Sequence, residues 1–197
     1  MRSMSNGLAP PVNSPLGEVS TERLRLRAFD GRDLDDLSEV FSKREVWQFP
    51  YGRGLSREET SHFLDLQIKD WGDYGFGCWL ATLSDTGRVI GYVGLSVPHF
   101  LPEILPAVEV GWRFDPEVWG QGFASEGATA ALTEGFTTLG LTEICSLPQS
   151  VNPQSFRVCE RLGMVFRRNI MCPPTEGRGA VEARMYALTR DEWRQRL

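Results

Sequence analysis

The feature that most constrains this chain is a turn with two glycines between an apolar strand and a long helix. The turn lies in the string DPEVWGQGFASE, residues 115–126. Gly120 and Gly122 lack a Cβ atom, so the backbone there can turn sharply and approach a ligand closely. Successive N–H groups at the start of a helix form a site for an anion such as a pyrophosphate. The local pattern equally suits a turn that only shapes the junction, and it is neither a Walker A loop nor a GxGxxG dinucleotide motif.

The rest of the chain alternates between strand and helix patterns. Residues 1–17 contain three prolines and few apolar residues, which predicts a flexible N-terminal tail before a single domain over residues 18–197. Periodicity predicts strands at Leu24 and Leu26 and over residues 77–83, 88–97, 107–114, 143–146, 165–172 and 180–188. It predicts helices over residues 33–41, 56–71, 122–139 and 153–163. This order of elements predicts an α+β fold with a mixed sheet.

Composition removes several classes of function. The formal net charge of −5 argues against nucleic acid as the main partner, because phosphate binding needs a clustered basic surface. The four cysteines show no CxxC spacing, so we expect neither a structural metal site nor a disulfide framework. No apolar run approaches the roughly 20 residues of a membrane span, and no signal peptide is evident. We therefore expect a cytoplasmic protein with no membrane partner.

A second segment, NPQSFRVCERLGM at residues 152–164, follows the glycine turn along the chain. Asn152 suits a helix N-cap, with Pro153 at the first helical position and Gly163 at the C-terminal stop. Capping alone would account for Asn152, so the local pattern leaves a binding role open.

Taken together, these segments resemble the acetyl-CoA-binding motifs of the GNAT acetyltransferase superfamily. The match runs through EVGW at residues 109–112, WGQGFASE at residues 119–126 and the string that begins at Asn152. Trp119 stands where the general pattern has Arg or Gln, a departure usual in the RimJ/RimL branch. The resemblance covers roughly residues 20–190. It implies a GNAT-like fold, with a twisted, mostly antiparallel sheet of about six or seven strands and about four helices.

The resemblance also implies where acetyl-CoA binds. Backbone amides from Gln121 to Ala124 would hold the pyrophosphate, and the strand near residues 110–112 would pair with the pantetheine arm. Asn152 would bind the pantetheine region, and Ser155 would lie near the thioester sulfur. The implied cofactor-binding residues are Val110, Gly111, Trp112, Trp119, Gly120, Gln121, Gly122, Phe123, Ala124, Asn152 and Ser155.

Acyl transfer to an amine requires a base for the amine proton and an acid for the departing thiolate. Glu109, at the head of the predicted cofactor strand, is the candidate base. Its alternative role is to hydrogen-bond a loop or to pair with an arginine. Many superfamily members carry a Tyr seven residues after the Asn of the second motif, but this chain has Cys159 there. Ser155 is therefore the candidate acid, and Cys159 is expected to be an inert buried thiol rather than a nucleophile.

The acceptor pocket is predicted to form from three loops, at residues 47–51, 99–105 and 173–179. Trp47, Phe49 and Tyr51 are candidate acceptor contacts, or equally core residues under a loop, and His99 is a weaker candidate. The predicted function is acetyl transfer from acetyl-CoA to a primary amine, of a peptide or a small molecule, in a ternary complex. Two alternatives are a non-catalytic CoA sensor and an enzyme for another acyl-CoA, such as succinyl-CoA. A homodimer is expected from the resemblance alone.

Overall fold

Successive residues of the third strand alternate between two hydrophobic cores, as the pleat of a β-strand requires. In the computed structural model of the protein, which describes residues 16–175 and 177–196, Trp79 and Ala81 face one core. Cys78 and Leu80 face the other core. The sheet therefore has helices on both faces, which is the layered arrangement that the element order predicts.

The eight strands of the sheet lie in the order β1-β2-β3-β4-β5-β6-β8-β7. Every neighbouring pair is antiparallel except β5 and β6, which run parallel. The strands are β1 (Val19–Ser20), β2 (Leu24–Arg27), β3 (Cys78–Leu83), β4 (Val89–Ser96), β5 (Glu109–Phe114), β6 (Glu143–Ser146), β7 (Val165–Cys172) and β8 (Val181–Thr189).

Six α-helices occur in the described ranges: α1 (Leu34–Phe41), α2 (Gln48–Tyr51), α3 (Arg57–Tyr74), α4 (Phe123–Thr137), α5 (Pro153–Arg161) and α6 (Arg190–Arg194). Helices α4 and α5 contribute to one core, and α1 and α3 contribute to the other. No helix in these ranges has both the length and the apolar composition to cross a membrane.

The predicted α+β fold with a mostly antiparallel sheet is confirmed, and the differences are short elements. Strand β1 adds an eighth strand through two pairs with β2. Helix α6 was not predicted, although Thr189 and Glu192 form a capping box at its start. Residues 47–51 were predicted as a loop, and helix α2 within them contains a non-helical residue, Phe49. Elements this short carry too few residues for a periodic pattern.

The fold begins before the predicted tail boundary at residue 17. Leu16 is buried, and its backbone N–H donates to the Gly75 carbonyl at 2.8 Å. The Trp79 indole Nε1–H donates to the Gly17 carbonyl at 3.2 Å. Residues 16 and 17 therefore belong to the domain, and the remainder of the predicted tail lies outside the described residues.

Helix α4 lies close to the sheet because Gly127 has no side chain. A Cβ atom at Gly127 would lie 2.6 Å from Val93 Cγ1 and 3.4 Å from Leu24 Cδ1. Gly72, in α3, has no atom within 4 Å of the equivalent position. Gly127 therefore lies in a tight helix–sheet contact, whereas Gly72 faces open space.

We expect Gly127→Val to lower the free energy of unfolding by about 1–3 kcal/mol, because overpacking displaces Val93. The matched variant Gly72→Val should change it by less than about 0.5 kcal/mol, since the new side chain enters solvent. Urea unfolding followed by circular dichroism measures both. Equal effects of the two substitutions would contradict this account of the helix–sheet contact.

Candidate active site

The two parallel strands at the centre of the sheet pair at one position only. Glu109 of β5 is in register with Cys145 of β6, and the Cys145 N–H donates to the Val108 carbonyl at 2.9 Å. Strand β6 ends at Ser146, whereas β5 continues to Phe114. On its other edge β5 pairs with β4 along its full length. The β6-side edge of β5 therefore presents backbone N–H and C=O groups that no described strand pairs with.

A cavity of about 450 Å³ occupies the opening between these strands, a size within the usual range for small-molecule sites. It brings together many of the residues that the sequence predicted for the site. Those in its lining are Trp47, Phe49, Tyr51, Glu109, Gly111, Trp112, Asn152 and Ser155. Each of the three predicted acceptor loops contributes to the lining. The loop at residues 47–51 contributes the three aromatic side chains just named, the loop at residues 99–105 contributes Phe100, and the loop at residues 173–179 contributes Thr175 and Arg178.

Glu109 lies half-buried in the cavity wall, at the point where the strands part. Burial raises the pKa of its carboxyl group to about 7, against the opposing effects of the Leu147 backbone N–H and the Arg113 charge. A carboxyl group with a pKa near neutrality can accept a proton efficiently at physiological pH. Its position and its pKa therefore both suit a general base.

Arg113 fixes one wall of the cavity. Its Nη1–H donates to the Val46 carbonyl at 2.8 Å, and its guanidinium carbon lies 3.9 Å from the centroid of the Trp47 ring. Trp47 is thereby held against β5, in contact with both the cavity and the core. The two roles predicted for Trp47, as an acceptor contact and as a core residue, are therefore compatible.

Successive residues of β5, the predicted pantetheine strand, alternate between the core and the cavity. Val110 is fully buried in the core, so only its backbone faces the open edge. Gly111 lines the cavity, and no atom lies within 4 Å of the place where its Cβ atom would be. The cavity thus has room for a chain that runs along this edge.

The glycine turn lies beyond the end of β5 and outside the cavity lining. Gly120 and Gly122 have φ angles of 76° and 89°, the left-handed region that favours glycine. Gly122 is the N-cap of α4 and makes no side-chain cap hydrogen bond, which leaves the first N–H groups of α4 without a side-chain cap. Six predicted residues lie together here, namely Trp119, Gly120, Gln121, Gly122, Phe123 and Ala124.

Side chains in this turn serve its own structure. The Trp119 indole N–H donates to the Phe114 carbonyl at 2.7 Å, and the Gln121 amide donates to the Glu117 carbonyl at 3.1 Å. Phe123 is buried in the core. The anion-binding capacity of the turn therefore rests on its backbone N–H groups.

Thr21 and Arg23, which lie just before β2, anchor the turn, and sequence reasoning missed this contact. Arg23 Nη1–H donates to the Gln121 carbonyl at 2.9 Å, and Arg23 Nη2 lies 2.6 Å from Glu126 Oε2. The Thr21 hydroxyl donates to Glu126 Oε1 at 2.5 Å. These partners lie about a hundred residues apart in sequence, and no local pattern connects them.

The second predicted segment forms helix α5 with its N-cap at the cavity. Asn152 Oδ1 accepts a hydrogen bond from the Ser155 N–H at 3.2 Å. Both residues line the cavity, so the capping role and a position at the site coexist. Cys159 is fully buried outside the lining, and burial raises the pKa of its thiol to about 12. The thiol stays protonated at neutral pH, which argues against Cys159 as a nucleophile.

The structure does not bring His99 together with the other predicted acceptor contacts. His99 is exposed, and its Nε2 lies 2.8 Å from the Tyr74 hydroxyl oxygen. Its ring stacks on that of Tyr74 at a centroid distance of 5.8 Å. His99 is not part of the cavity lining.

Helix α3 contributes lining residues that the sequence analysis did not select. Phe63, Gln67 and Asp70 all line the cavity. Their spacing of four and then three residues places them on one helix face, and this spacing is the sequence signal that could have found them. Tyr92 of β4 and Arg178 also line the cavity.

Comparison with known proteins identifies the family of this chain. The family model "Acetyltransferase (GNAT) domain" matches residues 23–165. The YkkB protein of Bacillus subtilis (strain 168) is 30% identical over 78% of this chain and 88% of its own length. The FsC-acetyl coenzyme A-N(2)-transacetylase of Aspergillus fumigatus is 34% identical over 73% of this chain and 63% of its own length.

A solved structure of RimL, a ribosomal L7/L12 alpha-N-protein acetyltransferase in complex with coenzyme A, has a similar fold. Its TM-score is 0.70 at 18% identity, over 89% of this chain and 99% of that chain. The chain described here belongs to the GNAT acetyltransferase family. It is an acyltransferase, and acetyl-CoA-dependent acyl transfer is the activity of this family.

The raised pKa of Glu109 has a consequence for stability. Since its pKa rises from 4.5 to about 7 on folding, the folded state holds this proton more tightly than the unfolded state. Stability is therefore lost as the pH rises from about 4.5 through 7. We expect Glu109→Gln to raise the free energy of unfolding at pH 8 by about 1–3 kcal/mol and to change it little at pH 4.

Urea unfolding at the two pH values measures this difference. Glu22→Gln, at an exposed position, provides the matched control and should change the free energy of unfolding by less than about 0.5 kcal/mol in both measurements. Stabilisation by Glu109→Gln that is equal at pH 4 and pH 8 would show that the carboxyl charge is not the cause.

Proposed function

We propose that the protein transfers the acetyl group of acetyl-CoA to a primary amine by direct transfer in a ternary complex. The observation that carries this proposal is the position of Glu109, a half-buried carboxyl group with a pKa near 7, beside the open edge of β5. The acceptor amine is that of a peptide N-terminus or of a small molecule.

The residues present fit acetyl-CoA as the acyl donor. When bound, acetyl-CoA supplies the thioester. The backbone of residues 110–112 offers an unpaired strand edge to the pantetheine arm, and Gly111 leaves room beside it. The uncapped N-terminus of α4 after Gly122 suits the pyrophosphate.

In the proposed reaction Glu109 removes a proton from the acceptor ammonium, directly or through a water molecule. The freed nitrogen lone pair forms a bond to the carbonyl carbon of the acetyl group. Backbone N–H groups of β5 donate hydrogen bonds to the carbonyl oxygen, where negative charge develops. As the C–S bond breaks, Ser155, alone or through water, donates its hydroxyl proton to the sulfur and recovers a proton from the newly bonded nitrogen, which becomes the neutral amide.

Direct transfer is supported by the state of the cysteines. All four thiols are buried, and burial raises the pKa of each one. A thiol nucleophile needs a lowered pKa and some exposure. The described residues thus offer no thiolate that could carry the acetyl group between two half-reactions.

We further propose that the protein belongs to the RimJ/RimL-like branch, on the pattern from Trp119 to Glu126, and that it acts in the cytoplasm. Likeness to RimL at 18% identity supports the shared fold only.

A homodimer follows from the resemblance to the RimJ/RimL branch, and analytical ultracentrifugation tests it. Assays with succinyl-CoA beside acetyl-CoA test the acyl preference, and CoA binding without turnover on any amine would favour a sensor.

We expect kcat/KM of the wild-type protein to rise with pH through a midpoint near 7, because Glu109 acts as a base only when deprotonated. Glu109→Gln should lower kcat about 10²–10⁴-fold and remove this rise. The measurement is thiol release from acetyl-CoA with a panel of amines between pH 5.5 and 9.

Ser155→Ala provides the contrast in the same assay. It should lower kcat, because the departing sulfur loses its proton donor, and keep the rise near pH 7. A pH profile that is unchanged in Glu109→Gln would remove Glu109 as the base.

We expect Gly111→Val to weaken CoA binding by at least about tenfold while the fold remains stable. Valine favours strands, and its side chain would enter the cavity where no protein atom lies within 4 Å. Gly31→Val, also with no atom within 4 Å, is the control. Isothermal titration calorimetry with CoA measures both, and unchanged affinity in Gly111→Val would place the pantetheine arm elsewhere.

A further inference from the structure

One face of helix α3 presents an unusual set of groups to the cavity. Phe63, Gln67 and Asp70 lie on this face and contribute an aromatic ring, an amide and a carboxylate. Of these groups, the Asp70 carboxylate is the one suited to a cation, through its negative charge. None of them takes part in the acyl-transfer chemistry assigned to Glu109 and Ser155.

Asp70 has no hydrogen-bond or ion-pair partner within residues 16–175 and 177–196. The two basic side chains that act on it electrostatically are engaged elsewhere, since Lys69 pairs with Asp73 and His99 interacts with Tyr74. Burial raises the pKa of Asp70, as expected for a carboxyl group withdrawn from water without a partner. A half-buried carboxylate without a counter-ion is costly for the protein.

The remaining charges of the cavity leave the α3 face negative. Arg113 is held by Trp47 and the Val46 carbonyl. Arg178 Nη2–H donates to the Pro173 carbonyl at 2.6 Å. The carboxylates of Glu109 and Asp70 both raise the pKa of Cys78, so this thiol lies within electrostatic range of each. The two carboxylates therefore border the same cavity. Glu109 is assigned to the reacting amine, and Asp70 has no partner among the described residues.

We propose that the acceptor is a small dibasic amine, with Asp70 as the residue that selects its second cation. The reacting amine lies at Glu109, and the second cation lies at Asp70. This assignment rests on the proposed acyl transfer and names its substrate class. A cavity of about 450 Å³ that also holds the reacting end of the donor suits a small acceptor.

Three amines test this contact. Ornithinamide and 1,4-diaminobutane carry two amines, and norvalinamide matches ornithinamide except that it lacks the second amine. We expect wild-type kcat/KM to be higher for the two diamines than for norvalinamide. Asp70→Asn should lower kcat/KM about tenfold or more for both diamines and less than about twofold for norvalinamide.

Asp73→Asn is the matched control, since Asp73 is an exposed residue of the same helix that pairs with Lys69 outside the cavity. It should leave all three rates unchanged, and thermal unfolding confirms that each variant is folded. Equal rates for ornithinamide and norvalinamide, unaltered by Asp70→Asn, would overturn the assignment of Asp70 while acetyl transfer itself stands.

If no amine reacts, the proposed function fails, and calorimetry with the CoA-bound protein then decides the subsite. Ornithinamide binding that weakens about tenfold in Asp70→Asn would support the cation subsite. Absence of binding to the wild-type protein would overturn it.

Discussion

The site depends on one constraint, the single residue pair that joins β5 to β6. Parallel pairing at Glu109 and Cys145 holds the sheet together, and the end of β6 one residue later leaves the edge of β5 open. An unpaired strand edge in a domain interior is unfavourable unless another chain or ligand completes it. The opening therefore provides both the cavity and the backbone groups suited to an extended donor.

The same opening sets the chemistry of Glu109. The residue lies where β5 leaves its partner, so its carboxyl group is shielded by the sheet and the aromatic wall yet reaches the cavity. Desolvation raises its pKa toward neutrality. A carboxyl group in a fully solvated loop would be a weaker base at the same pH. The stability lost by burying this charge is a cost that accompanies its function.

Local sequence signals predicted the parts of the site that depend on local structure. The glycines at positions 120 and 122 adopt the positive φ angles that their turn requires, and Asn152 caps α5 as its position before Pro153 indicated. Strand and helix periodicity predicted most of the sheet. Contacts between distant segments were not predictable, and the Arg23 anchor on Glu126 is the clearest case.

The α3 face was missed for a different reason. The spacing of Phe63, Gln67 and Asp70 is visible in the sequence, but amphipathic helices place such faces toward solvent as often as toward a cavity. Only the packing of α3 against the sheet shows that this face borders the site.

The most direct measurement is a crystal structure of the protein with CoA. The account predicts that the pantetheine arm hydrogen-bonds to the backbone of residues 110–112, with the pyrophosphate at the N-terminus of α4. The sulfur should lie near Ser155, inside the cavity that Glu109 borders. CoA bound away from the β5 edge, or a sulfur remote from both side chains, would contradict the central claim that the parting of β5 and β6 forms the acyl-transfer site.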